Sequence, residues 1–202
     1  MDFLPGGLYH VFNQGNNKKP IFYGRDNYIY FIKKMENHLK DHCDILAWCL
    51  MPNHFHWLIR VHEDYICEFD KIESNKTVLP INRSISTLLS SYTKAINKSR
   101  RKTGSLFRSR TKAIQLNSDD QVSDNYPLIC FLYIHQNPLR AGLVNSLDSW
   151  IFSSFRDYAG IRKGTLCNVK LGRELFELPA TDKEFILFSN QTIPEDYIDG
   201  FS

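Results

Sequence analysis

The sequence predicts an α+β domain: a ferredoxin-like split β-α-β sheet with helices on one face, followed by a C-terminal extension. Three observations lead there. Short strand-like runs and long helix-like runs alternate as strand, helix, strand, strand, helix, strand. The middle two strands are separated only by Met51-Pro52-Asn53, a turn that makes them a hairpin. The two intervening helices repeat apolar residues at steps of three and four, so each has one face to bury.

The first strand is Leu8-Tyr9-His10-Val11-Phe12-Asn13-Gln14, closed by the loop signal Gly15-Asn16-Asn17. His10 lies on it and reads as a satisfied core or edge histidine rather than a ligand. Arg25 to His42 is an amphipathic helix with Tyr28, Phe31, Ile32, Met35 and Leu39 on its apolar face. Asp26 and Asn27 suit its N-terminus. Asp44 to Leu50 and His54 to Val61 form the hairpin. Side chains alternate along a strand, so His54 and His56 share a face about 6.5–7 Å apart, while Phe55 and Trp57 take the other.

His62 to Arg83 is polar and irregular and reads as a long surface loop. Arg83 to about Arg101 is the second helix, burying Ile85, Leu88, Leu89, Tyr92 and Ile96, and Thr111 to Leu116 is the fourth strand. A third helix, from about Gln121 to Gln136, is apolar over most of its surface and should be largely buried. Asn137-Pro138 should stop or kink it. Beyond Val144, the residues Trp150, Phe152, Phe155 and Tyr158 suggest a short packed helix, and the last forty residues read as an extension. The expected division is a main domain over 1–146 and a helical extension over 147–202.

With 202 residues, the chain is long enough for a substantial core, and 43% hydrophobic with 13% aromatic residues describes a folded protein. A net charge of only +3 means that any affinity for nucleic acid must come from local clustering. No apolar run approaches the roughly 18 residues of a membrane span, and the N-terminus lacks the pattern of a secretory signal. The five cysteines form no Cys-x-x-Cys pair, which argues against a zinc ribbon or disulfide scaffold and for a reducing compartment, most simply the cytoplasm.

Imidazoles spaced like those of His54 and His56 can converge on one metal ion, although such pairs are commonly surface or hydrogen-bonded residues. Tyr133 and Asn137, four apart, share a helical face if the third helix reaches that far. Two neutral imidazoles and a neutral amide would leave a divalent cation's charge for an anionic substrate such as a phosphodiester to complete, with Mg²⁺ or Mn²⁺ reasonable. A free phenol titrates near pH 10, so a nucleophilic Tyr133 needs assistance from a cation or lysine. Lys98, Arg100, Arg101, Lys102, Arg108, Arg110 and Lys112 lie in one stretch with Phe107 among them and no acidic residue. A loop so composed can follow a phosphate backbone and stack a base.

Five segments resemble the single-tyrosine HUH transposases, in particular the repeat-associated tyrosine transposase branch. They are Tyr9 to Asn16, Leu50-Met51-Pro52-Asn53-His54-Phe55-His56, Gly104 to Arg110, Tyr133-Ile134-His135-Gln136-Asn137-Pro138-Leu139-Arg140-Ala141-Gly142-Leu143-Val144, and Trp150 to Phe155. They run in family order over roughly residues 8 to 158. The resemblance implies that His54 and His56 are metal ligands, that Tyr133 is the nucleophile and that Asn137 completes the metal site; Arg140 in the same run joins the DNA-binding residues. It implies metal-dependent cleavage of single-stranded DNA through a 5′-phosphotyrosine, leaving a 3′-hydroxyl, on hairpin-forming repeats, by a monomer or homodimer with no membrane partner. Position 14 is Gln where the branch often has a basic residue, and the 62–83 segment is longer than the branch leads one to expect.

A rival reading is a repeat-DNA binder or regulator that keeps the fold without turnover. A metal-dependent hydrolase of small molecules would fit His-x-His but leave Tyr133 and the basic loop without a role.

Overall fold

A computed structural model describes residues 2–64, 80–118 and 125–201. Among them, β1 (Leu8–Gln14), β2 (Cys43–Met51), β3 (His54–Val61) and β4 (Lys112–Gln115) form one sheet in the order β2-β3-β1-β4. Every neighbouring pair is antiparallel. The helices α1 (Arg25–Leu39) and α2 (Pro80–Arg100) are the two crossovers. This is the predicted ferredoxin-like order.

The alternation of the strands builds two packed layers. Phe55 and Trp57 turn toward the crossover helices, where the Phe31 ring of α1 lies 5.5 Å from Phe55, 5.9 Å from Trp57 and 4.8 Å from Tyr92 of α2. Each such side chain fully removed from water contributes about 1.5–3 kcal/mol. The opposite face is covered by α3 (Tyr126–Arg140), whose Tyr133 meets His10 and His56. Helices on one face thus describes the two crossovers, and α3 closes the other side.

Two helix boundaries differ from expectation. Among the described residues α2 runs from Pro80, three residues ahead of the expected Arg83. The rest of the expected long loop, 65–79, and the expected start of the third helix, 119–124, lie outside the described residues. α3 continues through Asn137-Pro138 to Arg140 instead of ending there. An interior proline costs about 3 kcal/mol, but every residue from Cys130 to Pro138 is buried, and burying several large side chains at about 1.5–3 kcal/mol each outweighs it.

The stretch after α3 covers what the sheet leaves open. Along the edge strand β2, Leu50 N–H donates to the Phe152 carbonyl and Ser154 N–H to the Trp48 carbonyl, both at 2.9 Å. Of the aromatic group expected to make one helix, only Phe155–Tyr158 is helical (α4); Trp150 and Phe152 pack against α1 and β2. The helices α5 (Val169–Leu175), α6 (Asp182–Ser189) and α7 (Glu195–Ile198) follow. Gln136 on α3 anchors this part, its amide donating to the carbonyls of Ser189 at 2.9 Å and Gln191 at 2.8 Å. Phe201 returns to α3 and is fully buried, with its ring 4.9 Å from Tyr126 and 5.1 Å from Tyr133.

Candidate active site

A cavity of about 300 Å³ opens on the α3 side of the sheet, lined among others by Phe12, Gln14, His54, His56, Arg108, Arg110, Lys112 and Tyr133. The register places it. Gln14 pairs with His54 and Phe12 with His56, so the end of β1 and the start of β3 lie side by side. Gly15 fixes that end: its N–H donates to the Asn53 carbonyl at 2.8 Å, and a Cβ there would overlap the Lys19 carbonyl.

His54 is oriented by its predecessor. Its Nδ1 lies 2.7 Å from the Asn53 side-chain oxygen, while the Asn53 amide nitrogen donates to the Lys18 carbonyl at 3.2 Å. The second bond settles which end of the amide faces the ring. The oxygen can only accept, so His54 carries its proton on Nδ1 and keeps Nε2 as a lone pair, the tautomer a metal ligand needs. By sequence Asn53 reads as a turn residue, and its position directly before the first histidine is the only signal of more.

His56 is held differently. Its Nδ1 lies 2.9 Å from His10 Nε2, and the two rings are stacked with centroids 5.1 Å apart. His10 is wholly buried and does not line the cavity, and only its Nε2 has a hydrogen-bond partner among the described residues. The His54 and His56 rings are perpendicular with centroids 5.0 Å apart. Burial lowers the His54 pKa to about 4 and the His10 pKa to about 3. Burial, helped by His10 and His54, lowers that of His56 as well. All three imidazoles are therefore neutral at neutral pH.

Tyr133 stands over this group from α3. Its ring meets that of His56 edge to face at 5.6 Å and that of His10 at 6.3 Å. The helix and the hairpin, some eighty residues apart in the chain, thus bring phenol and imidazoles to one side of the sheet. Asn137 is one turn further along and buried, but its amide nitrogen donates to the Tyr133 carbonyl at 3.0 Å and it does not line the cavity. No set of three His, Cys, Asp or Glu side chains suited to a metal occurs among the described residues. The donor set on the cavity wall is two neutral imidazoles, one already in the ligand tautomer. That set would suit a divalent cation only if its remaining ligands came from elsewhere.

The expected DNA-binding residues divide into four groups. Arg108, Arg110 and Lys112 are exposed on the cavity wall, and Lys112 Nζ lies 5.2 Å from the centre of the Phe12 ring. Their loop is tied to β1, with Arg108 N–H donating to the Gln14 carbonyl at 2.8 Å and the Asn13 amide to Thr111 Oγ1 at 3.0 Å. Lys98, Arg100, Arg101 and Lys102 are exposed at the end of α2, away from the cavity, with Arg100 stacked 3.6 Å over Tyr23. Arg140 is exposed at the end of α3 and likewise does not line the cavity. Phe107 corrects the expectation of a base-stacking ring: it is buried against Phe31, Phe55 and Tyr92 on the crossover-helix side, so it serves the core. Nothing acidic interrupts the chain from Ile81 to Ser118, so the whole α2-loop-β4 unit is cationic.

No protein-family model and no curated protein matches the chain. Among solved structures, a REP-associated tyrosine transposase bound to a REP hairpin is similar, with a TM-score of 0.56 at 18% sequence identity. The match covers 79% of this chain and 83% of that one. At that identity the likeness is one of fold.

Proposed function

We propose that the protein is a metal-dependent single-stranded DNA endonuclease and strand transferase, acting through a 5′-phosphotyrosine on hairpin-forming repeat DNA. The observation that carries this reading is the placement of the Tyr133 ring 5.6 Å from His56 in a cavity walled by Arg108, Arg110 and Lys112. A phenol, two neutral imidazoles and cations on one wall suit a phosphodiester, and they serve no evident purpose for a neutral small molecule. The fold shared with a transposase solved on a REP hairpin supports the same substrate class.

In this reading the cationic wall neutralises the backbone and steers one phosphate toward Tyr133. Tyr133 Oη attacks phosphorus as the bond to the 3′-oxygen of the preceding nucleotide breaks. The departing oxygen takes a proton to become a 3′-hydroxyl, and the phenol proton passes to solvent. The bond energy stays in the phosphotyrosine, so a 3′-hydroxyl can reverse the step and rejoin strands. His54 and His56 would hold Mg²⁺ or Mn²⁺, and by the family resemblance Asn137 would complete the set. The cation would polarise a phosphate oxygen and stabilise the charge that develops on it.

The rival, a DNA-binding protein without turnover, draws on that engaged Asn137 amide. Incubation with a labelled single-stranded hairpin oligonucleotide and Mn²⁺ separates the two. The enzyme reading expects a covalent protein–DNA adduct, stable to denaturation and absent from Tyr133→Phe. Tight binding with no adduct in either chain supports the rival.

A further inference from the structure

We infer that His10, through Nε2 at 2.9 Å from His56 Nδ1, holds His56 in the tautomer that carries its proton on the nitrogen a cation needs, so that metal loading requires reversal of the pair. The inference rests on the metal role proposed for His56. It follows from counting protons. His10 is 0% exposed, between the rings of Phe12 at 4.6 Å and Phe201 at 5.7 Å. Its Nδ1 has no hydrogen-bond partner among the described residues.

A neutral imidazole has one N–H. On His10 Nδ1 that proton would be a buried donor with no acceptor among the described residues, which is costlier than a bare nitrogen. It therefore sits on Nε2 and donates to His56 Nδ1. His56, accepting there, must carry its own proton on Nε2, the remaining ligand atom. For His56 Nε2 to bind a cation, its proton must move to Nδ1 and donate to His10 Nε2, and the His10 proton must move to Nδ1. Both protons are retained and both change nitrogen, leaving His10 Nδ1–H without an acceptor among the described residues. His54 has no such barrier, because the Asn53 oxygen already holds its proton on Nδ1. The two ligands are thus unequally prepared: His54 is set for the cation, and His10 makes His56 resist it. His10 is a positioning residue that lowers metal affinity.

The test is nitrogen-detected NMR of the histidines in the full, metal-free chain, with Mn²⁺ titration calorimetry of the wild type and His10→Gln. Expected are Nε2–H tautomers for His10 and His56 beside an Nδ1–H tautomer for His54. A glutamine amide can turn to donate or accept, so His10→Gln should bind Mn²⁺ about tenfold more tightly, the factor that relief of one unpaired buried donor allows. An Nδ1–H tautomer of His56 in the metal-free protein, or equal or weaker Mn²⁺ binding by His10→Gln, overturns this inference and leaves the proposed function standing. Absence of Mn²⁺ binding in both chains overturns the metal reading and this inference with it.

Discussion

The side-chain oxygen of Asn53 lies 2.7 Å from His54 Nδ1, and the nitrogen of the same amide donates to the Lys18 carbonyl. One residue of a hairpin turn thereby joins the loop after β1 to a candidate ligand. Removing the acceptor frees both the ring and its proton. Asn53→Ala should weaken Mn²⁺ binding by about 10–100-fold, the usual effect of losing such a partner. Asn53→Asp, which keeps the oxygen, should retain most of the affinity. Calorimetric titration checks both, and an alanine variant that binds like the wild type removes Asn53 from the site.

The cations on the cavity wall should act on DNA through its phosphates. Neutralising Arg108, Arg110 and Lys112 together should flatten the dependence of single-stranded DNA affinity on salt. The slope changes by about 0.7 for each phosphate no longer neutralised, or roughly 2 if each residue meets one phosphate. Fluorescence anisotropy across a salt series reads that slope. Neutralising Lys98, Arg101 and Lys102, which stand apart from the cavity, should change it less; the reverse order would move the DNA track to the end of α2.

Phe107 should behave as a core residue. With its ring only 4% exposed against three other aromatic side chains, Phe107→Ala should destabilise the fold by about 3–5 kcal/mol. Urea denaturation measures this directly. Phe107→Leu, which keeps the volume nearly filled, should restore most of the stability and leave DNA affinity unchanged. Lost DNA binding in a stable leucine variant would reinstate the stacking role.

Acid should unfold the protein through its buried histidines. Burial lowers the His135 pKa from 6.5 to about 3, so the folded state stays neutral where the unfolded chain takes up a proton. Above pH 6.5 neither state is charged and the group contributes no pH dependence. As pH falls from 6.5 toward 3, stability is lost at about 1.4 kcal/mol per pH unit for each such histidine. Denaturation midpoints between about pH 7 and 4 should fall accordingly, and His135→Gln, able to keep a bond to Ser154 Oγ, should lessen the slope by one histidine's share. An unchanged slope would mean that His135 is protonated in the folded state.

Features set by local periods were legible in the chain alone. Two-residue alternation put His54 and His56 on one face, three-to-four-residue repeats marked Phe31 and Tyr92 as buried, and the order of these runs specified the sheet. Such periods follow from backbone geometry within a single element and need no knowledge of its neighbours. Which ring lies across from which was settled by packing between elements. Packing set Tyr133 over His56, paired His10 with His56, tied the Asn53 amide to the Lys18 carbonyl and buried Phe107 on the far side of the sheet. Each of those outcomes depends on how separate elements share space and satisfy one another's buried polar atoms, which no run of adjacent residues encodes.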